Sequence, residues 1–178
     1  QLIIDSWTYR GLYYAFITLS QMLYADPQNP NEVVIPGLNI WDYPDFAIRG
    51  LVDDISRGQR PTLDNFKKFM RHLSMTKQNV LVLYIEDIFK YESHPEIGKG
   101  RGPLTKADIH ELEEYAKDWF IEIQPAVEMF GHMENILLNP KYMDLAEFPG
   151  AQCFDVSNPK AKEFAKELLE EIAQAFQS

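Results

Sequence analysis

Asn79-Val-Leu-Val-Leu-Tyr-Ile85, followed at once by Glu86-Asp87, is the stretch on which the fold turns. A near-continuous run of branched apolar residues suits a parallel strand buried on both faces better than a half-exposed antiparallel one. On its amino side, Ala47–Ile55 reads as a further strand, leading into Ser56-Arg57-Gly58. Between the two, Thr62 after Pro61 is a good N-cap for a helix with its stripe at Leu63, Phe66, Met70 and Leu73. On the carboxyl side, a long loop over residues 88–104 precedes Thr105 and Asp108, spaced as a capping box. That helix carries Ile109, Leu112, Ala116 and Trp119, and Phe120–Val127 is the third strand. After an irregular stretch, Asn158-Pro159 opens a last helix with Phe164, Leu168, Ile172 and Phe176 on one side. Strands alternating with helical patterns imply right-handed βαβ crossovers, hence an α/β fold with a parallel sheet.

Residues 1–45 have a different rhythm. From Tyr9 to Leu23 the apolar spacing is helical, Asp26–Asn31 is a turn cluster, and Val33–Ile35 and Leu38–Trp41 read as short strands. Asp42-Tyr43-Pro44-Asp45 then breaks the chain, so the first 45 residues are expected to end one unit before another begins.

The 178 residues are 46% hydrophobic and 25% charged, the composition of a globular domain with one substantial core. A complete (β/α)8 barrel takes about 250 residues, so a βαβα pattern of this length is a smaller doubly wound domain or an incomplete barrel. Seventeen Lys and Arg stand against 27 Asp and Glu, a net charge of −10. Phosphate backbones and anionic lipid are therefore poor partners: neither nucleic acid nor membrane is expected, and no apolar run has the roughly 20 residues of a span. Cys153 is the only cysteine, which excludes an intrachain disulfide and a cysteine zinc site. Gln1 reads as a cut or mature terminus, and the compartment stays undecided.

In parallel α/β folds chemistry gathers at the carboxyl ends of strands. There the chain offers Asp53, Asp54 and Arg57 after the first strand, Glu86-Asp87 after the second, and Glu128, His132 and Glu134 after the third. An acidic rim with an arginine and a histidine suits a neutral polyhydroxylated ligand, and acids with a histidine can also move protons. Arg49 reads equally as an ion-pair partner of Asp54 or Asp87, Asp53-Asp54 as a strand-end turn, and His132 as a hydrogen-bonded structural histidine. Neighbours on a strand point to opposite faces, so at most one of Glu86 and Asp87 looks into a site. Glu86, Glu128 and His132 match no tight metal-ligand spacing, and neither metal nor cofactor is expected. Gly98-Lys-Gly-Arg-Gly102 lacks the ending of a P-loop and reads as a flexible loop.

The ordered motifs carry a family resemblance. Arg49-Gly50-Leu-Val-Asp-Asp54-Ile-Ser-Arg57 resembles the first barrel strand of glycoside hydrolase family 20, the β-N-acetylhexosaminidases. Gly11–Leu23 is similar to the helix that ends that family's N-terminal α+β domain, and Ile35-Pro36 with Ile40–Phe46 to its link into the barrel. Asn79–Asp87 falls where the family's second strand ends in an aspartate. Ile123–His132 resembles the third strand and its Pro-Gly-His turn. The pattern departs from typical members: Val82 and Tyr84 replace histidines, Ala126 a glutamate, Glu128 an aspartate and Phe130 a proline.

What the resemblance implies is a partial (β/α)8 TIM barrel over residues 46–178, about three βα units, preceded over residues 1–45 by the end of an α+β domain and a linker. It implies removal of terminal N-acetylhexosamine from glycans or glycoconjugates by substrate-assisted, retaining hydrolysis, in which the sugar's acetamido oxygen attacks its own anomeric carbon. The family's adjacent Asp-Glu catalytic pair follows the fourth strand, so the chain holds no catalytic residue and is expected to be inactive alone. Arg49 would bind substrate hydroxyls, with Asp87, Glu128 and His132 as supporting groups. A secreted or periplasmic bacterial enzyme fits the family. The competing expectation is a non-catalytic carbohydrate-binding or half-barrel module, self-associating through an open barrel edge and completed by another chain.

Overall fold

A computed structural model describes residues 2–177. Helix α1 (Tyr9–Met22) is followed by a two-residue ribbon in which β1 (Tyr24–Ala25) pairs antiparallel with β2 (Val33–Val34). The remainder alternates: β3 (Gly50–Asp54), α2 (Leu63–Met75), β4 (Val80–Ile85), α3 (Lys106–Lys117), β5 (Glu122–Val127), the short α4 (Glu134–Leu137) and α5 (Pro159–Ala175). β3, β4 and β5 form a parallel sheet in that order, with Val52, Val82 and Gln124 in one row and Asp54, Tyr84 and Ala126 in the next.

Sequence chemistry accounts for the helix ends. Thr62 Oγ1 accepts from Asn65 N–H, Thr105 and Asp108 close a reciprocal capping box, and Asn158 caps α5 ahead of Pro159. The α2 and α3 carboxyl ends share one geometry. Gln78 N–H reaches back to Leu73 C=O at 3.0 Å, Ile121 N–H to Ala116 C=O at 3.0 Å, and Lys77 and Phe120 take left-handed φ values of 59° and 54°. Non-glycine residues accept that conformation because both turns bear on α1. Lys77 Nζ pairs with Asp42 and reaches Thr18 Oγ1 at 2.5 Å, and the Phe120 ring packs on Tyr13 with centroids 5.1 Å apart. Tyr13 Oη also meets the buried Ser74 Oγ at 2.7 Å, and that hydroxyl donates to Trp119 C=O. α1 is thereby fixed beneath the amino-terminal end of the sheet.

The core lies on one side. Leu81, Leu83, Ile85 and Ile123 are buried against Phe66, Met70, Ile109, Leu112 and Leu168 from the helices. The opposite face carries Val52, 59% exposed, with Val82, Tyr84, Gln124 and Ala126 half-buried, and no described element covers it. β3 and β5 each pair only with β4 among the described strands.

Two expected elements differ. Leu38–Trp41 forms no strand; Leu38, Ile40 and Trp41 are exposed, with no neighbouring strand to complete a ladder. β3 begins at Gly50, not Ala47, because before it the Asn79 side chain takes the place of a ladder partner, accepting from Arg49 N–H at 2.8 Å and donating to Ala47 C=O at 2.9 Å. Among the described residues, no helix is long and apolar enough to cross a membrane.

Candidate active site at the strand carboxyl ends

Parallel pairing brings the carboxyl ends of β3, β4 and β5 to one edge, and the polar residues just beyond them converge there. Asp54, last in β3, bends the chain by accepting from Ser56 N–H at 3.0 Å and pairs with Arg57 Nη1 at 2.6 Å. The other arm of the guanidinium, Nη2, lies 2.8 Å from Glu86 Oε1 and 3.3 Å from His132 Nδ1. Its carbon sits 5.1 Å from the centre of the Tyr84 ring, a cation–π contact.

Glu86 follows Val82 and Tyr84 at strand spacing, which carries it to the uncovered face. It is only 4% exposed, and its Oε1 makes no aligned hydrogen bond within the described residues despite the nearby guanidinium. Burial raises its pKa above the ordinary glutamate value, the Arg57 charge opposing and the Glu134 charge reinforcing that shift. Burial likewise raises the Tyr84 phenol.

His132 occupies a left-handed backbone position, φ 56°, uncommon outside glycine although histidine adopts it more readily than most side chains. The next residue holds it there: Met133 is fully buried, and its N–H donates to Gln152 C=O at 3.0 Å. The imidazole is half exposed, with Nδ1 3.8 Å from Glu86 Oε1. Backbone strain of this kind persists where the surroundings enforce it, and functional sites are one such setting.

Arg49 does not join this cluster. It lies one residue before β3, at the opposite end of the sheet, about 17 Å away at ordinary strand rise. Its guanidinium donates to the carbonyls of Phe46 (2.5 Å), Ala47 (3.3 Å) and Lys77 (2.9 Å) and lies over the Tyr14 ring. Arg49, expected to bind substrate, thus stands apart from the cluster and ties the chain entering β3 to the turn after α2. It also lines a cavity of about 940 Å³ between α1 and residues 35–46, at that same amino-terminal end.

Asp87, expected as a supporting group, does not face the cluster either. It is 1% exposed and directed away from the cluster, held by Arg101 and by Asn135 Nδ2 at 3.2 Å. Glu128 stands one residue past β5, its N–H donating to Ile85 C=O at 3.3 Å, and its charge contributes to the elevation of Tyr84. Arg57 and Glu86 are thus the members that the resemblance passed over. Position relative to the strand end, and the period of two along β4, were the signals for them. No group of three or more His, Cys, Asp or Glu residues among those described is arranged to hold a metal.

A parallel sheet with helices on one face and a guanidinium–carboxylate–imidazole cluster at its carboxyl edge defines an α/β protein with a polar site at the strand ends. Residues 46–178 match the catalytic domain of glycosyl hydrolase family 20, and the chain belongs to that family. It is 31% identical over 159 residues to a β-hexosaminidase of Porphyromonas gingivalis, covering 78% of this chain and 20% of that protein. A β-hexosaminidase A of Caenorhabditis briggsae is 29% identical over 99% of this chain and 34% of its own length. The crystal structure of a Flavobacterium johnsoniae chitobiase superposes with a TM-score of 0.79 at 27% identity, over 93% of this chain and 27% of that one. The chain therefore spans between a fifth and about a third of the curated relatives it matches.

Proposed function

We propose that this chain is the opening part of a (β/α)8 catalytic barrel that removes terminal N-acetylhexosamine from glycans, with residues 1–45 closing a preceding α+β domain. The observation that carries the reading is the meeting of Arg57, Glu86 and His132 at the carboxyl ends of β3, β4 and β5. On this reading the uncovered face with Val52, Val82, Tyr84 and Ala126 is the barrel interior. Arg57, not Arg49, donates to the hydroxyls of the terminal sugar, and the half-exposed guanidinium has room to do so. Glu86 holds that guanidinium in place, and His132 and Glu128 shape the charge nearby.

Substrate-assisted hydrolysis needs an acid to protonate the leaving oxygen and a carboxylate to orient the acetamido group. Neither Asp53-Asp54 nor Glu86-Asp87 fits that pair. Asp54 and Asp87 are each committed to an arginine, Glu86 is buried beneath another, and Asp53 lies on the helix-facing side in register with Leu83. The pair belongs to the unit after the next strand, so the isolated chain binds sugar without cleaving it. Incubation with a chromogenic N-acetylglucosaminide tests this: turnover abolished by Arg57→Ala would overturn it.

The uncovered sheet face also favours a second reading, a non-catalytic sugar-binding module completed by another chain through the free edges of β3 and β5. Sedimentation would separate the two, since the second reading requires a dimer or larger species.

A further inference from the structure

We propose that Arg101 is a positioning residue for the carboxyl-edge site: it binds the chain neighbours of Arg57 and Glu86 and so fixes both at once. Its Nη2 donates to Ser56 C=O at 2.5 Å, and its Nη1 pairs with the buried Asp87 carboxylate. Ser56 is adjacent to Arg57, and Asp87 to Glu86. The same Asp87 oxygen accepts from Asn135, three residues after His132. One guanidinium thus joins the ends of β3 and β4 to the start of α4, the three places from which the site groups emerge.

The surroundings are built for this contact. Gly98, Gly100 and Gly102 take φ values of 66°, 81° and 70°, and a Cβ at Gly98 would collide with the Asp87 carbonyl oxygen. The turn closes with Arg101 N–H donating to Gly98 C=O at 3.0 Å. Phe89, Tyr91, Ile97 and Leu104 are buried beneath the loop. The segment expected to be a flexible loop is instead a packed arm carrying one guanidinium inward. Ser56 completes the link: its buried hydroxyl accepts from Glu86 N–H at 2.9 Å and lies 3.3 Å from Tyr84 C=O.

The inference rests on the proposed sugar site only for its consequence; the positioning can be read without it. The test compares Arg101→Met, Arg101→Lys and the double variant Arg101→Met/Asp87→Asn by NMR of the whole chain. The readouts are the Arg57 Nε–Hε and His132 ring resonances, with Leu112 and Ile172 methyls as controls for the fold. Removing the cation alone leaves a buried unpaired carboxylate, so Arg101→Met loses stability; the double variant removes both charges and recovers it. Positioning predicts that Arg57 and His132 stay displaced in the recovered double variant. Arg101→Lys, whose single ammonium cannot span both partners, gives a smaller displacement in the same direction. Affinity for N-acetylglucosamine, read on the same resonances, falls about tenfold or more. Arg57 and His132 resonances matching wild type in the double variant would overturn the inference. A wild-type chain that binds no sugar, yet shows these displacements, would count against the proposed function instead.

Discussion

The Arg57 guanidinium lies 2.8 Å from a Glu86 carboxylate that is 4% exposed, while itself remaining half open to solvent. A buried anion beneath an accessible cation is an arrangement for aiming donors outward. The anion is out of a ligand's reach, but its charge draws in the guanidinium that can meet one.

Replacing Arg57 by Ala is expected to keep the fold but lower its stability, since the buried Glu86 loses its cationic neighbour. N-acetylglucosamine affinity should fall about tenfold or more, because a charged donor is removed from the ligand. Arg49→Ala should leave affinity near wild type and lower thermal stability, since its guanidinium serves three backbone carbonyls at the far end. Isothermal titration and thermal melts of both variants check the pair of outcomes.

Glu86 gives a pH signature with a definite sign. Its folded pKa is raised above the ordinary 4.5, so between the two values the native state holds the proton more often than the unfolded chain. Its contribution to stability is complete below about pH 4.5 and is lost as pH rises through the raised value. In Glu86→Gln that loss disappears. The variant-minus-wild-type stability should therefore increase across that window and then level off, as measured by urea unfolding at several pH values. A flat difference would show that Glu86 titrates normally.

Ser74→Ala should loosen α1. The buried hydroxyl links Tyr13 to Trp119 C=O, and its removal leaves both without that partner. The expected cost is about 1–3 kcal/mol in chemical denaturation. Hydrogen exchange should rise first in Tyr9–Met22, with β4 unchanged.

Gly98→Ala should cost at least about 1 kcal/mol, because φ is positive there and the new methyl meets the Asp87 carbonyl. Gly58→Ala, also at positive φ but in open space, is the comparison. A larger loss at Gly98, with displaced Arg57 resonances, follows from the arm geometry.

The helices were legible because their signals are local: Thr62, Thr105 and Asn158 cap where their side chains require, and the apolar stripes follow at helical spacing. β4 was legible because it is apolar without a break from Val80 to Ile85, although its face with Val82 and Tyr84 is left uncovered by the described elements. Leu38–Trp41 shows the limit, since an apolar run becomes a strand only with a partner. Within the site, chain direction already put Arg57 beyond the first strand and Arg49 before it, whereas the resemblance pointed to Arg49. Alternation from Val82 through Tyr84 already pointed to Glu86, whereas the resemblance pointed to Asp87. Arg101 was not legible, because its role depends on a loop that folds back across 14 residues to Asp87.

On the proposed function, the carboxyl-edge cluster around Arg57 binds N-acetylhexosamine. Titrating N-acetylglucosamine into the labelled chain, to concentrations on the order of tens of mM, reads that binding residue by residue. Saturable shifts are expected at Arg57, Tyr84 and His132, with Arg49 and Lys77 unmoved. No saturable shift at the cluster, or shifts centred on Arg49 and the cavity beside α1, would contradict it.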